Sequence, residues 1–195
     1  MIRFRHEVIH RAIAVACLTL LCSAARLAAQ RPTNDAREDD RAEMRRDPFA
    51  LIAHVGLGRF PALQLSAVRG PASARIYLLG GGVEMRAAPR LFLDFSATVG
   101  FHLGACADWC PGSGANTDLS ALWLVHRLPN RWGVLLGPTL SRSTIAGDRM
   151  GGGATASVGA VSGIGPRFTV RYVALSGPNY NQGLSALLSL RLGGF

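Results

Sequence analysis

Residues 91–103 read LFLDFSATVGFHL, and every second one is apolar: Leu91, Leu93, Phe95, Ala97, Val99, Phe101 and Leu103. The alternate positions hold Phe92, Asp94, Ser96, Thr98, Gly100 and His102. Side chains of a strand point to opposite faces in turn, whereas those of a helix return every 3.6 residues. Apolar residues in such strict period two specify a strand with one apolar and one mostly polar face.

The same texture recurs along the chain. Alternating runs occupy residues 49–60, 73–86, 91–103, 117–127, 132–140, 152–162, 168–174 and 184–195. The connections after runs two, four and six are short, at residues 87–90, 128–131 and 163–166. Those after runs one, three, five and seven are longer. An antiparallel up-and-down meander with tight turns at one end and loops at the other has this rhythm. The expected fold is all-β, an eight-stranded antiparallel up-and-down transmembrane β-barrel.

The two faces differ in chemistry. One carries Leu, Val, Phe, Ala, Met and Tyr, with no charge in the middle of any run. The other carries glycines, serines and a few ionisable residues: His54, Glu84, Asp94, His102, Arg171 and Arg191. A water-soluble barrel would turn the apolar face inward and would need a densely charged exterior. This polar face has too few charges for that role. It suits the lumen of a narrow barrel, where eight strands leave room for side chains and little else. Charges there must pair, because an isolated buried ion costs several kcal/mol. Glu84 and Asp94 against Arg171 and Arg191, with runs one and eight closing the ring, is the expected polar network, joined by His54 and His102.

The last run, LSALLSLRLGGF, stands where no later chain can cover its leucines. The other runs are two-faced as well, so lipid is left to cover them. Phe49, Trp132, Phe168 and Phe195 lie at the tight-turn ends of runs one, five, seven and eight, the arrangement of an interfacial aromatic girdle. Two irregularities stand out. Leu188, Leu190 and Leu192 disagree in parity with Phe195, and a bulge at Gly193-Gly194 would absorb the difference. Pro138 removes a ladder donor inside run five, in a barrel that has no edge strand.

Ahead of the runs, Arg3, Arg5 and Arg11 precede a short apolar stretch, residues 12–22, and residues 25–29, ARLAA, end in small side chains. That is the make-up of a cleaved signal peptide, residues 1–29, and the stretch is too short for a helix spanning a bilayer, which needs about 20 residues. Residues 30–48 are charged and poor in large apolar side chains, and read as a periplasmic linker with at most a helical turn within residues 36–46. The barrel then covers residues 49–195. Without the signal peptide the formal charge falls from +9 to +6, 17 arginines against 11 acids. Nucleic acid is not an expected partner. The arginines are spaced singly rather than clustered on one face, and an exported chain rarely meets such a partner.

Cys17 and Cys22 leave with the signal peptide. Cys106 and Cys110 remain, in ACADWCPGSG. In an exported protein they are most simply a disulfide that pinches one loop. Two cysteines alone cannot fill a tetrahedral zinc site, and three intervening residues depart from the redox C-x-x-C spacing. No metal and no cofactor is expected.

Taken together, signal peptide, charged spacer, eight alternating runs and the terminal Phe195 resemble the small outer-membrane β-barrels of Gram-negative-type bacteria, the OmpA transmembrane domain and OmpX-like proteins. The resemblance covers residues 49–195 and rests on pattern. It implies a location in the cell outer membrane and contact with outer-membrane lipid. It also implies recognition of Phe195 by the barrel-assembly machinery. The expected role is non-enzymatic, structural or surface-interacting, for a monomeric barrel whose outer loops carry any binding. Two alternatives remain. One is a lipid-modifying barrel enzyme using His102 or His126, with Ser96, Asp94 or Asp118 near His102. The other is a soluble exported barrel holding a small apolar ligand. No G-x-S-x-G elbow accompanies the histidines, and the glycines at 80–82 and 151–153 lack the Lys and Ser/Thr of a phosphate loop.

Overall fold

The computed structural model describes residues 38, 41, 42, 44–61, 73–101, 114–145, 148–176 and 181–194. Eight strands close into one barrel in sequence order. They are β1 (Phe49–Pro61), β2 (Ser73–Ala88), β3 (Leu91–Phe101), β4 (Gly114–Leu128), β5 (Trp132–Ser143), β6 (Arg149–Ala160), β7 (Ile164–Leu175) and β8 (Asn181–Gly194). Every neighbouring pair is antiparallel, and β1 pairs with β8 to close the ring. Closure leaves no edge strand with unpaired backbone groups, which is what lets a sheet sit in an apolar medium. Among the described residues no helix is long and apolar enough to cross a membrane. Glu38, Arg41, Ala42 and residues 44–46 are helical, ahead of β1.

Alternation becomes inside and outside. Along β3, Phe92, Asp94, Ser96 and Thr98 are buried, whereas Phe95 and Val99 are more than half exposed. All eight strands place large apolar side chains on the exposed face, among them Leu57, Leu79, Phe95, Leu119, Leu140, Val158, Phe168 and Leu188.

The final strand contains the irregularity that its sequence demands. Ala50 pairs with Gly194 but Ile52 with Arg191, so β8 carries one extra residue there, and Gly193 has φ +94. This bulge restores the phase after Leu192. Pro138 is accommodated by a break in one ladder. The β4–β5 register runs to Ser120↔Thr139 and resumes at Trp123↔Leu136, with Pro138 in the gap, while Pro138 stays paired to Ala154 of β6. Beside it Gly137 lies so close to the Ala121 carbonyl that a Cβ would collide with it.

One turn differs from expectation. The chain turns at residues 161–163, where Gly163 has φ +67, and β7 already begins at Ile164. Pro166 therefore lies in a strand rather than in the expected turn at residues 163–166. It tolerates this because pairing with β6 starts only at Gly159↔Arg167, so on that side no ladder bond is lost.

Candidate functional site in the barrel lumen

The inward positions of the strands build a filled core with an ionic middle and apolar ends. Ile76, Leu78, Ile145 and Leu187 cluster at the loop end, and Ile145 comes from the turn after β5. Phe92, Leu122, Leu124, Leu135 and Val161 cluster at the tight-turn end. Between and beside them lie hydroxyls in cross-strand contact: Ser120 with Thr139 at 2.8 Å, Thr139 with Thr155 at 2.5 Å, and Ser157 with Thr169 at 2.8 Å.

Two ion-pair groups occupy this lumen. In the first, the Arg167 guanidinium forks onto both oxygens of Glu84, and Arg191 Nε donates to Glu84 Oε1 at 3.1 Å. Arg191 Nη1 also donates to Asp47 Oδ2 at 2.6 Å and to the Gly163 carbonyl at 2.7 Å. The Gly163 amide donates to the same Asp47 oxygen at 2.9 Å. Arg167 further bonds the Ala160 carbonyl through Nε and Nη2. In the second group, Arg171 donates to Asp118, to Ser96 Oγ at 3.2 Å and to Thr155 Oγ1 at 3.2 Å, and its Nη2 stands 4.0 Å from Asp94 Oδ1.

Among the described residues the buried charges balance. Asp47, Glu84, Asp94 and Asp118 stand against Arg86, Arg167, Arg171 and Arg191. Arg86 bonds the Pro89 carbonyl and lies over the Phe92 ring, 5.1 Å from its centroid. Removing eight charges from water is costly, and such a set persists only with its partners and hydrogen bonds in place. A cleft lined by Thr98, Asn116, Asp118, Ser141, Arg171 and Ser185 has a volume of about 10 Å³, room for roughly one water.

Of the residues expected in the network, His54, Glu84, Asp94, Arg171 and Arg191 all face this lumen. Glu84 meets Arg191 directly. Arg171 takes Asp118 as its close partner and leaves Asp94 at a longer reach. His54 joins neither group: its Nδ1 meets Ser189 Oγ at 2.8 Å, and its Nε2 has no hydrogen-bond partner among the described residues. His102, Cys106, Cys110 and Phe195 lie outside the described residues. Sequence reasoning missed Arg167, Asp118, Arg86 and Asp47 as lumen members. Arg167 shares the parity of Thr169 and Arg171 and could have been found by extending the run past Pro166. Asp47 carries no such signal, since it stands before the first strand in a charged stretch.

Phe49 and Trp132 open β1 and β5 on the exposed face, 40% and 38% exposed. Phe168 also faces outward but is the fifth residue of β7, about 10 Å further along a tilted strand than its first residue. His126 is exposed near the tight-turn end of β4, away from the lumen.

No protein-family model and no curated protein matches the chain. Among solved structures it is similar to the crystal structure of Neisserial surface protein A (NspA), with a TM-score of 0.56 and 14% identity. The match covers 74% of this chain and 96% of that one. At that identity the likeness concerns the fold, a closed eight-stranded barrel.

Proposed function

We propose that the chain is an integral outer-membrane β-barrel with a structural or surface-interaction role and no catalytic activity. The observation that carries this reading is the continuous apolar exterior around a charge-balanced, filled lumen. Water would have to cover Leu57, Leu79, Phe95, Leu140 and Leu188, each about half exposed or more, on every side of the barrel. Monomeric soluble proteins rarely expose so large a patch. A bilayer removes that cost, and the fold shared with Neisserial surface protein A supports the same medium.

In this reading residues 1–29 are removed as a signal peptide and residues 30–48 lie on the periplasmic side. Cys106 and Cys110 close a loop by a disulfide, and Phe195 is the assembly signal. The barrel works as a monomer in contact with outer-membrane lipid. A wide diffusion pore does not fit a lumen occupied by paired arginines and carboxylates. Catalysis at His54 and Ser189 does not fit either, since both are buried and, among the described residues, no carboxylate orients the imidazole.

The test is fractionation followed by gel mobility of unboiled and boiled samples. A folded membrane barrel is expected in the outer-membrane fraction with a heat-dependent shift. Soluble periplasmic protein without such a shift overturns the reading and favours a soluble carrier. For the enzymatic alternative, His102→Ala with His126→Ala is expected to leave the lipid A profile unchanged.

A further inference from the structure

Backbone register lines up the inward positions of neighbouring strands in rows along the lumen wall, and one row collects what the ion pairs leave over. His54 pairs with Gly80, Gly80 with Thr98, Thr98 with Asn116, Asn116 with Ser143, and Ser143 with Arg149. Among the described residues six buried side-chain atoms have no hydrogen-bond partner, and four of them lie on this row: His54 Nε2, Asn116 Oδ1, Ser143 Oγ and Arg149 Nη1. Leaving a buried polar atom unpaired is costly. Four in one row point to a partner that they share.

The rows on either side show what kind of space this is. On the loop side, Leu187, Gly56, Leu78, Gly100 and Gly114 are paired in turn, and Ile145 packs against the two last glycines. On the tight-turn side the next row holds Arg191, Ser96, Asp118 and Ser141. The polar row is therefore a layer between an apolar stopper and the ionic middle. The cleft of about 10 Å³ falls in this layer: Leu78 and Leu187 line it from one side, Asp118 and Ser141 from the other, and Thr98 and Asn116 from the row itself. That volume takes one molecule the size of water.

The chemistry of the lining selects the occupant. Asn116 is only 3% exposed, and its Oδ1 needs a donor. The hydroxyls of Thr98 and Ser141 can donate or accept. Asp118 and Arg171, which also line the cleft, already pair with each other, so no unbalanced charge there favours an ion. An apolar occupant would leave Asn116 Oδ1 unpaired. We infer that the row binds a layer of internal water, anchored at Asn116 in the cleft and reaching Ser143 on one side and His54 on the other. Between Thr98 and His54 stand two strand spacings, about 10 Å, and Gly80 puts no side chain in the way. The Ile145 cluster separates this water from bulk solvent at the loop end. The site is a property of the lumen and does not depend on what covers the exterior.

Oxygen-17 relaxation dispersion of the full-length protein in detergent micelles tests this, because it counts long-lived internal waters and is blind to hydroxyl and amide protons. Asn116→Leu keeps the side-chain size and removes the anchor, and is expected to lower the count by about one water or more. Ser143→Ala, a smaller change on the same row, is expected to lower it as well. Arg142→Gln with Asp148→Asn, on the exterior, should leave it unchanged. A count that Asn116→Leu does not alter, or that falls as far in the exterior variant, overturns the inference. Should neither row variant fold, a crystal structure of the parent decides. Water within about 3.2 Å of Asn116 Oδ1, with further water on Ser143 Oγ or His54 Nε2, is the expected result. A cleft filled by a side chain of residues 102–113, or one with no water at Asn116, overturns it.

Discussion

Arg191 of the last strand and Asp47, two residues ahead of the first, meet at 2.6 Å across the seam where the barrel closes. The pair joins groups 144 residues apart in sequence, and Asp47 also caps the Gly163 amide of the β6–β7 turn. One carboxylate outside the strands thus ties three parts of the barrel together. Asp47→Ala is expected to destabilise the folded state by about 1–3 kcal/mol. The cost is less than for a fully broken buried pair, because Arg191 keeps Glu84 and the Gly163 carbonyl. Urea unfolding in vesicles or detergent measures it. Unchanged stability would show that Asp47 is dispensable to closure.

Glu84 is the hub of the network, since it accepts from two arginines. Glu84→Gln leaves Arg167 and Arg191 with excess buried charge and is expected to cost about 3–5 kcal/mol. Asp94→Asn should cost clearly less, because its nearest guanidinium nitrogen is 4.0 Å away and its Oδ1 makes no hydrogen bond among the described residues. Equal losses in the two variants would contradict the pairing described for this lumen.

Much of the fold was legible because period-two alternation reports which medium each face meets. The runs located all eight strands, and the parity conflict at the carboxyl terminus located the bulge at Gly193. The partners of the lumen charges were less legible. Parity says that Glu84, Asp94, Arg171 and Arg191 point inward, but pairing depends on strand register and on how far each side chain leans along the lumen. Arg171 therefore took Asp118 rather than a partner chosen by charge alone. Arg167 was hidden by Pro166, a residue that normally marks a turn. Asp47 was hidden because nothing in a charged spacer distinguishes the one carboxylate that enters the barrel.

Gly193 has φ +94, in a region that side chains with a Cβ rarely enter. Gly193→Val is expected to destabilise the barrel by about 1–2 kcal/mol through backbone strain at the β1–β8 seam. Deleting Gly193 should do more, because it removes the extra residue that keeps the end of the strand in phase with β1. Folding yield and heat-dependent gel mobility of the two variants distinguish strain from loss of phase. Deletion without effect would mean that the bulge is not needed for pairing.

The exposed pair Arg142–Asp148 makes a contrast with the lumen. Arg142 holds the Asp148 carboxyl below the usual carboxylate range by hydrogen bonding and charge. A lowered value makes the charged form the stabilising one. The contribution is therefore complete above the ordinary carboxylate range and lost as pH falls through the depressed value. Exposure and solvent screening keep it small. Asp148→Asn is expected to shift Tm barely at neutral pH and to coincide with the parent in strong acid. A large loss at neutral pH would contradict this assignment.

Ile145 connects that surface turn to the lumen. It follows β5, is only 7% exposed, and packs with Ile76, Leu78 and Leu187 across the loop end. A Cβ at Gly100 or Gly114 would press into Ile145, so two glycines on neighbouring strands make room for one side chain. Thr144 anchors the turn through its amide to the Ala115 carbonyl, and its hydroxyl accepts from the Ala115 amide, both at 2.8 Å. Ile145→Ala removes the apolar stopper while keeping those anchors, and is expected to cost about 2–4 kcal/mol. The polar groups beneath it, Asn116 among them, then gain access to water. Faster amide exchange of inward positions at the loop end of β4 and β5, with unchanged exchange at the tight-turn end, is the expected signature. Uniform protection in the variant would mean that the ionic middle of the lumen, and not Ile145, keeps water out.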